Sequence, residues 1–157
     1  MAGPGIRFRL LVIGRLRAGP LAALAAHYAG RIVPMPAIVE LEVRQPLPAA
    51  ALKAREADLI LAALPPGVPL VALDGHGVQW SSSSFAERIK RWRDDGAREI
   101  AFAVGGAEGL DRTVLDRAAA ALSLGAMTWP HFLARGMLLE QLYRAQQILA
   151  GHPYHRE

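Results

Sequence analysis

Hydrophobic positions along this chain follow two periods in turn, one suited to strands and one to helices. Arg7 to Ile13 is a compact apolar run that reads as a strand. Gly19-Pro20 opens a helix through about Tyr28, with proline in the first turn, where its missing N–H leaves no bond unmade. From Ile38 to Val43 apolar residues alternate with Glu40 and Glu42, which predicts a second strand. A helix from about Pro48 to Leu64 follows and is stopped by Pro65-Pro66-Gly67. Val68 to Leu73 is a third, fully apolar strand. The serines from Ser81 to Ser84 lead into a helix to about Asp94; Ser84 and Glu87 have capping-box spacing, and Gly96 ends the helix. Ile100 to Val104 is a fourth strand that runs directly into Gly105-Gly106. A helix over Asp111 to Ala120, a fifth strand over Leu122 to Leu124 and a last helix from Pro130 to about Ala150 complete the pattern, and Gly151 to Glu157 forms a short tail.

Strands separated by helices predict an α/β fold, a mostly parallel sheet with helices on both faces. Ligands of such sheets bind beyond the carboxyl ends of the strands. The length of 157 residues fits one domain over 1–157, large enough to bury roughly 70% of the surface its unfolded chain exposes. With 52% apolar and 20% charged residues, neither disorder nor a fibrous repeat is compatible. The absence of cysteine removes disulfides, thiolate nucleophiles and cysteine-held metals, and suits a reducing cytosol. The first uncharged apolar run, Leu10 to Ile13, is too short for a secretion signal, and no stretch approaches the roughly 18 apolar residues that span a bilayer. A cytoplasmic protein without a membrane segment is therefore expected. Net charge is +4, and all basic residues except Lys53 and Lys90 are arginine. The planar guanidinium fork suits phosphate, yet a GC-rich genome gives the same bias, so charge alone only permits a nucleic-acid partner.

Three glycine-bearing segments follow successive strands: Leu73-Asp74-Gly75-His76-Gly77, Gly105-Gly106-Ala107-Glu108-Gly109-Leu110 and Leu124-Gly125-Ala126-Met127-Thr128-Trp129-Pro130. Each alone reads as a plain turn. Three at consecutive strand ends point to a ligand approached by the backbone. The spacing is not that of a dinucleotide fingerprint, a phosphate loop or a nucleophile elbow. No metal is expected: His131 stands alone, and His152 and His155 lie three apart in the tail.

At these residues the chain resembles the ribosomal RNA large subunit methyltransferase H family. The ending His152-Pro153-Tyr154-His155-Arg156-Glu157 is similar to the family's C-terminus. So are Leu73-Asp74-x-x-Gly77 with Ser82 and Phe85-Ala86, the turn Gly105-Gly106-x-x-Gly109-Leu110, the run from Leu122 through Met127-Thr128 to Pro130-His131, and Leu139-Glu140-Gln141-x-Tyr143-Arg144-Ala145. The resemblance covers nearly the whole chain. It departs at Gly125, where a serine is common, at Val78 and Gln79, where a basic residue often follows, and at Arg44 to Ala49, where many relatives carry a longer lysine-rich loop.

The resemblance implies a SPOUT-class enzyme with a C-terminal trefoil knot that methylates N3 of a pseudouridine in 23S rRNA, within the large subunit or ribosome, using S-adenosylmethionine. It implies that the cofactor sits against Leu73, Gly105, Gly106 and the run Leu124, Gly125, Ala126, Met127, Thr128 and Trp129. It also implies a homodimer, in which RNA meets one subunit's cofactor site and the other's tail. Apolar residues on more than one face of the last helix, among them Leu138, Leu139, Leu142, Ile148 and Leu149, suggest a partner subunit as well.

N3 of a uracil-type ring must lose a proton, so a base or a cation that stabilises the anion is needed. The tail supplies candidates: His155 as base, Arg156 and Arg144 as cations and Tyr154 as a stacking ring. His131 reads as a helix-start residue and His76 as a loop residue, while Glu140 and Gln141 fit a solvated or subunit-facing role. Met127 and Trp129 suit either the adenine or the core. Two other functions fit the pattern: a non-catalytic RNA-binding or ribosome-assembly module, and a nucleotide- or flavin-binding oxidoreductase.

Overall fold

The computed structural model describes residues 5–157; the first four residues, and with them the start of the domain expected over 1–157, lie outside it. Strand β1 (Arg7–Ile13) is followed by α1 (Pro20–Ala29), β2 (Ala37–Leu41), α2 (Ala49–Ala63), β3 (Leu70–Val78), α3 (Ser82–Asp94), β4 (Glu99–Val104), α4 (Arg112–Arg117), β5 (Ala120–Leu122) and α5 (His131–Leu149). The five strands form one sheet of order β2-β1-β4-β3-β5, and every pairing is parallel. This is the α/β architecture expected from the alternation of elements.

The central strands are apolar at nearly every position because both faces of the sheet are covered. On one face Phe8, Leu10 and Val12 of β1 and Ile100, Phe102 and Val104 of β4 pack against α1, α3 and α5. On the other, Leu11 and Ile13 with Ala101 and Ala103 meet Ala57 and Ile60 of α2 and Val114 of α4. Along β4 the side chains are bulky toward the three-helix layer and small toward the two-helix layer, so that one strand fits two differently filled faces.

Several boundaries differ from the sequence pattern. Helix α3 begins earlier, because Ser81 rather than Ser84 is the cap: its hydroxyl accepts from the Ser84 amide at 3.0 Å. Helix α4 stops at Arg117, and β5 is drawn from the alanine run instead of from Leu122 to Leu124. Ala119 N–H donates to Leu70 O at 2.7 Å, so sheet pairing overrides the helix propensity of alanine. Strand β3 continues to Val78, and Leu122 pairs with both Leu73 and Val78 across a bulge holding Asp74 to Gly77. Gly77 is required there: a Cβ would lie 2.5 Å from Ala121 O.

The apolar faces of α5 do not call for a second subunit. The helix touches both α1 and α3. Leu138, Leu139 and Leu142 are buried in the chain's own core, and Ile148 and Leu149 pack against it.

Candidate functional site

The carboxyl ends of β3, β4 and β5 converge on a cavity of about 390 Å³, within the size range of small-molecule sites. Strand β3 contributes Leu73, Asp74, Gly75 and His76, and the turn after β4 contributes Gly105, Gly106 and Ala107. The segment after β5 contributes Leu124 to Trp129. All nine residues marked by sequence for a cofactor thus line one space. His131 and Ala134 of α5 complete a wall that the sequence reading did not include.

Backbone geometry shapes this cavity. A Cβ on Gly105 would stand 2.8 Å from the backbone of Gly109, so only glycine lets the turn close; Gly109 N–H then donates to Gly106 O at 3.0 Å. The third segment is held by Ser123, a buried residue whose hydroxyl lies 3.2 Å from Gly75 O and 3.0 Å from Gly125 O and accepts from Gly125 N at 3.2 Å. Trp129 Nε1 donates to Leu124 O at 3.3 Å and closes the loop on itself. Gly125, at φ +121°, adopts a backbone conformation that a side chain rarely takes.

Two buried ionisable groups support the cavity from outside its lining. Arg135 pairs with Glu40 at 2.7 Å and donates to Gly14 O at 3.1 Å. Burial works against ionisation of Glu40, but the Leu16 amide and the Arg135 guanidinium outweigh it and hold this carboxyl below its ordinary range. Glu56 of α2 lies beneath Gly106, its Oε2 without a partner among the described residues. Burial, and then the nearby Glu108, raise its pKa. His131 is pushed the other way, downward, by burial and then by the charge of Arg135. Neither Arg135 nor Glu56 belongs to a short motif, so only their burial in the fold marks them.

The tail residues form a second cluster. The tail folds back on α5 instead of fraying: Tyr154 packs edge-on against Tyr143, with ring centroids 4.8 Å apart, and its hydroxyl donates to Glu140 at 3.1 Å. Burial, and then the Glu140 carboxylate, push the Tyr154 pKa up to about 12. Arg144 bonds Glu140 at 2.6 and 3.0 Å, lies over the Tyr154 ring and reaches His155 Nδ1 at 3.2 Å. Three of the four candidate catalytic residues are therefore in contact, while Arg156 is exposed. None of the four lines the cavity. Glu140 is the hub of the cluster, not a solvated residue. Among the described residues no three His, Asp or Glu side chains are placed to hold a metal ion, and no helix is long and apolar enough to cross a membrane.

Residues 6–155 match the family model described as "Predicted SPOUT methyltransferase". A ribosomal RNA large subunit methyltransferase H from Rhodospirillum centenum is 52% identical over 151 residues, covering 96% of this chain and 99% of the relative. The chain belongs to the SPOUT methyltransferase family. The enzyme of the same name from Acidiphilium cryptum is 51% identical over 156 residues, covering 99% and 98%. Among solved structures, the fold is shared with a "Probable Methyltransferase" from Bordetella pertussis Tohama I, at TM-score 0.55 and 15% identity over 89% of this chain and 92% of that one. It is shared too with Lpg2936 of Legionella pneumophila, solved with the bound cofactor SAM, at TM-score 0.50 and 12% identity over 89% and 66%. Membership in the SPOUT family sets aside the oxidoreductase alternative.

Proposed function

We propose that this SPOUT methyltransferase acts on large-subunit ribosomal RNA, transferring the methyl group of S-adenosylmethionine to N3 of a pseudouridine in 23S rRNA, in the cytoplasm and as a homodimer. The observation that carries the reading is the convergence of three glycine-bearing strand ends on one cavity, in a chain about half identical to ribosomal RNA large subunit methyltransferases H. The trefoil knot belongs to the same reading. Its support is the path of the chain, which leaves β5 at the sheet edge, is tied to β3 by Ser123, and returns as α5 against α1 and α3.

The cavity fits such a donor. Apolar side chains of Leu73, Leu124, Met127 and Trp129 suit an adenine, and the glycine turns leave backbone amides and carbonyls open to polar groups. When bound, the cofactor supplies an electrophilic methyl group. The chain's task is to align the acceptor ring and stabilise the charge that develops as N3 gives up its proton. The ring of Tyr154 suits the alignment, and the tail cluster built around Arg144 suits the charge. Exposed Arg156 suits a phosphate contact.

Mass spectrometry of 23S rRNA from a strain lacking this protein should show one methyl lost from a pseudouridine and restored by the wild-type chain. An unchanged methylation pattern would defeat the reading. For the cofactor, titration calorimetry with S-adenosylhomocysteine should show binding that Gly75→Trp abolishes. Gly75 lines the cavity, and a side chain there meets nothing within 4 Å, whereas one at Gly106 would press on Ile13. Full affinity in Gly75→Trp would move the cofactor elsewhere.

A further inference from the structure

The contact between Arg144 and His155 constrains the chemistry of the imidazole. Arg144 Nη1 lies 3.2 Å from His155 Nδ1. A guanidinium has only donors, so Nδ1 must accept, and the neutral ring then carries its proton on Nε2. Arg144 is not free to turn away. Its Nε and Nη2 are bound to Glu140 Oε1 at 3.0 and 2.6 Å, and it lies over the Tyr154 ring, 4.8 Å from the centroid. Glu140 is held in turn: its Oε2 accepts from Gln141 Nε2 at 2.9 Å, and Gln141 Oε1 accepts from Ser82 Oγ at 2.6 Å. Among the described residues the other charged group facing the ring is Glu157, 3.9 Å from Nε2, beyond hydrogen-bond distance, with its carboxylate held by Ser83 Oγ at 2.9 Å. His155 Nε2 is left as a buried donor without a partner among the described residues.

A base needs a free lone pair, and this ring has none to offer. Nδ1 is taken by Arg144, and Nε2 bears the hydrogen. We propose that His155 works as a neutral Nε2–H donor to a carbonyl oxygen of the acceptor base, with Arg144, and Glu140 through it, as positioning residues. This rests on the methyl-transfer reading above. The N3 proton leaves to water and the negative charge spreads onto the ring oxygen that His155 binds. The N3 electron pair then forms the N–C bond as the C–S bond of the sulfonium breaks, its pair returning to sulfur. Movement of the Glu157 side chain uncovers Nε2 for the incoming base.

Nitrogen-15 NMR of histidine-labelled wild-type protein at neutral pH tests the tautomer without any turnover. The expected spectrum has Nε2 protonated and Nδ1 bare at His155, shifting to a tautomer mixture in Arg144→Met. An Nδ1–H ring or an imidazolium in the wild type would overturn the proposal. In methyl transfer to ribosomes, His155→Ala should lower kcat about 100-fold, as loss of one preorganised donor does. His155→Gln, whose amide donates but cannot serve as a base, should recover about tenfold of it, within the range spanned by single transition-state donors. Both variants should keep the wild-type pH–rate profile. Equal defects in the two variants, with loss of the acidic limb, would make His155 the base. A wild-type enzyme inactive on ribosomes would instead defeat the functional reading and leave the NMR result to decide the tautomer.

Discussion

At the residue scale, the groups under greatest constraint lie behind the cavity instead of facing it. Arg135 is almost fully buried and is tolerated because Nη1 donates to Glu40 and Nη2 to Gly14 O, which leaves Nε alone without a partner among the described residues. Glu56 is less well served, a buried carboxyl with no cation paired to it among the described residues and an oxygen left over. Such a group favours its protonated form in the fold. Its pKa is raised on folding, so the stability it permits is full at acid pH and is lost as pH rises from the ordinary carboxyl range through the raised value. Glu56→Gln keeps the shape and removes the ionisation. Urea unfolding at a series of pH values should show the variant gaining on the wild type as pH rises, with the difference smallest in acid. Parallel stability curves across the series would show that Glu56 is not held neutral.

At the element scale, the order and type of all ten elements were legible, because each is apolar at the period its partners require. What was not legible lies at β3 and β5. The alanines from Ala118 to Ala121 favour a helix taken alone, yet Ala120 and Ala121 enter a strand because small side chains let β5 sit tight on β3 near Gly77. The bulge from Asp74 to Gly77 read as a loop, since two glycines hide a strand's pattern. The nine cofactor candidates share one cavity, and the sequence singles them out because glycines at strand ends and a family motif coincide there. Arg135, Glu56 and Ser123 needed the fold, as their importance comes from burial and partners far away in sequence. Ser123 gives a test at this scale. Its hydroxyl joins the β3 bulge to the loop after β5, so Ser123→Ala should loosen that wall and weaken S-adenosylhomocysteine binding about tenfold, the value of one or two buried hydrogen bonds. Calorimetry that finds unchanged affinity would show the loop is held by Trp129 and packing alone.

At the scale of the whole molecule, the two clusters pose a question of assembly. The cavity lies at the carboxyl ends of β3, β4 and β5, and the tail cluster lies along α5, with no residue of Tyr154, His155, Arg144 or Arg156 in the cavity wall. If both serve one methyl transfer, a tail must reach a cavity, and a dimer lets the tail of one subunit serve the cavity of the other. Exposed Met127 and Trp129 at the cavity rim offer apolar surface for such a contact. The core lies elsewhere, so removal of Tyr154 to Glu157 should leave the fold intact while abolishing activity. Gly75→Trp should abolish activity from the cavity side. Each variant alone should be inactive, whereas in a dimer that shares its sites a mixed pair would join an intact cavity on one chain to an intact tail on the other. Co-refolding the two variants in equal amounts should restore about a quarter of wild-type methyl transfer, because random pairing makes about half the dimers mixed and repairs one of their two sites. If cavity and tail act within one chain, every site in the mixture carries a defect and no activity returns, so the same assay separates the two arrangements.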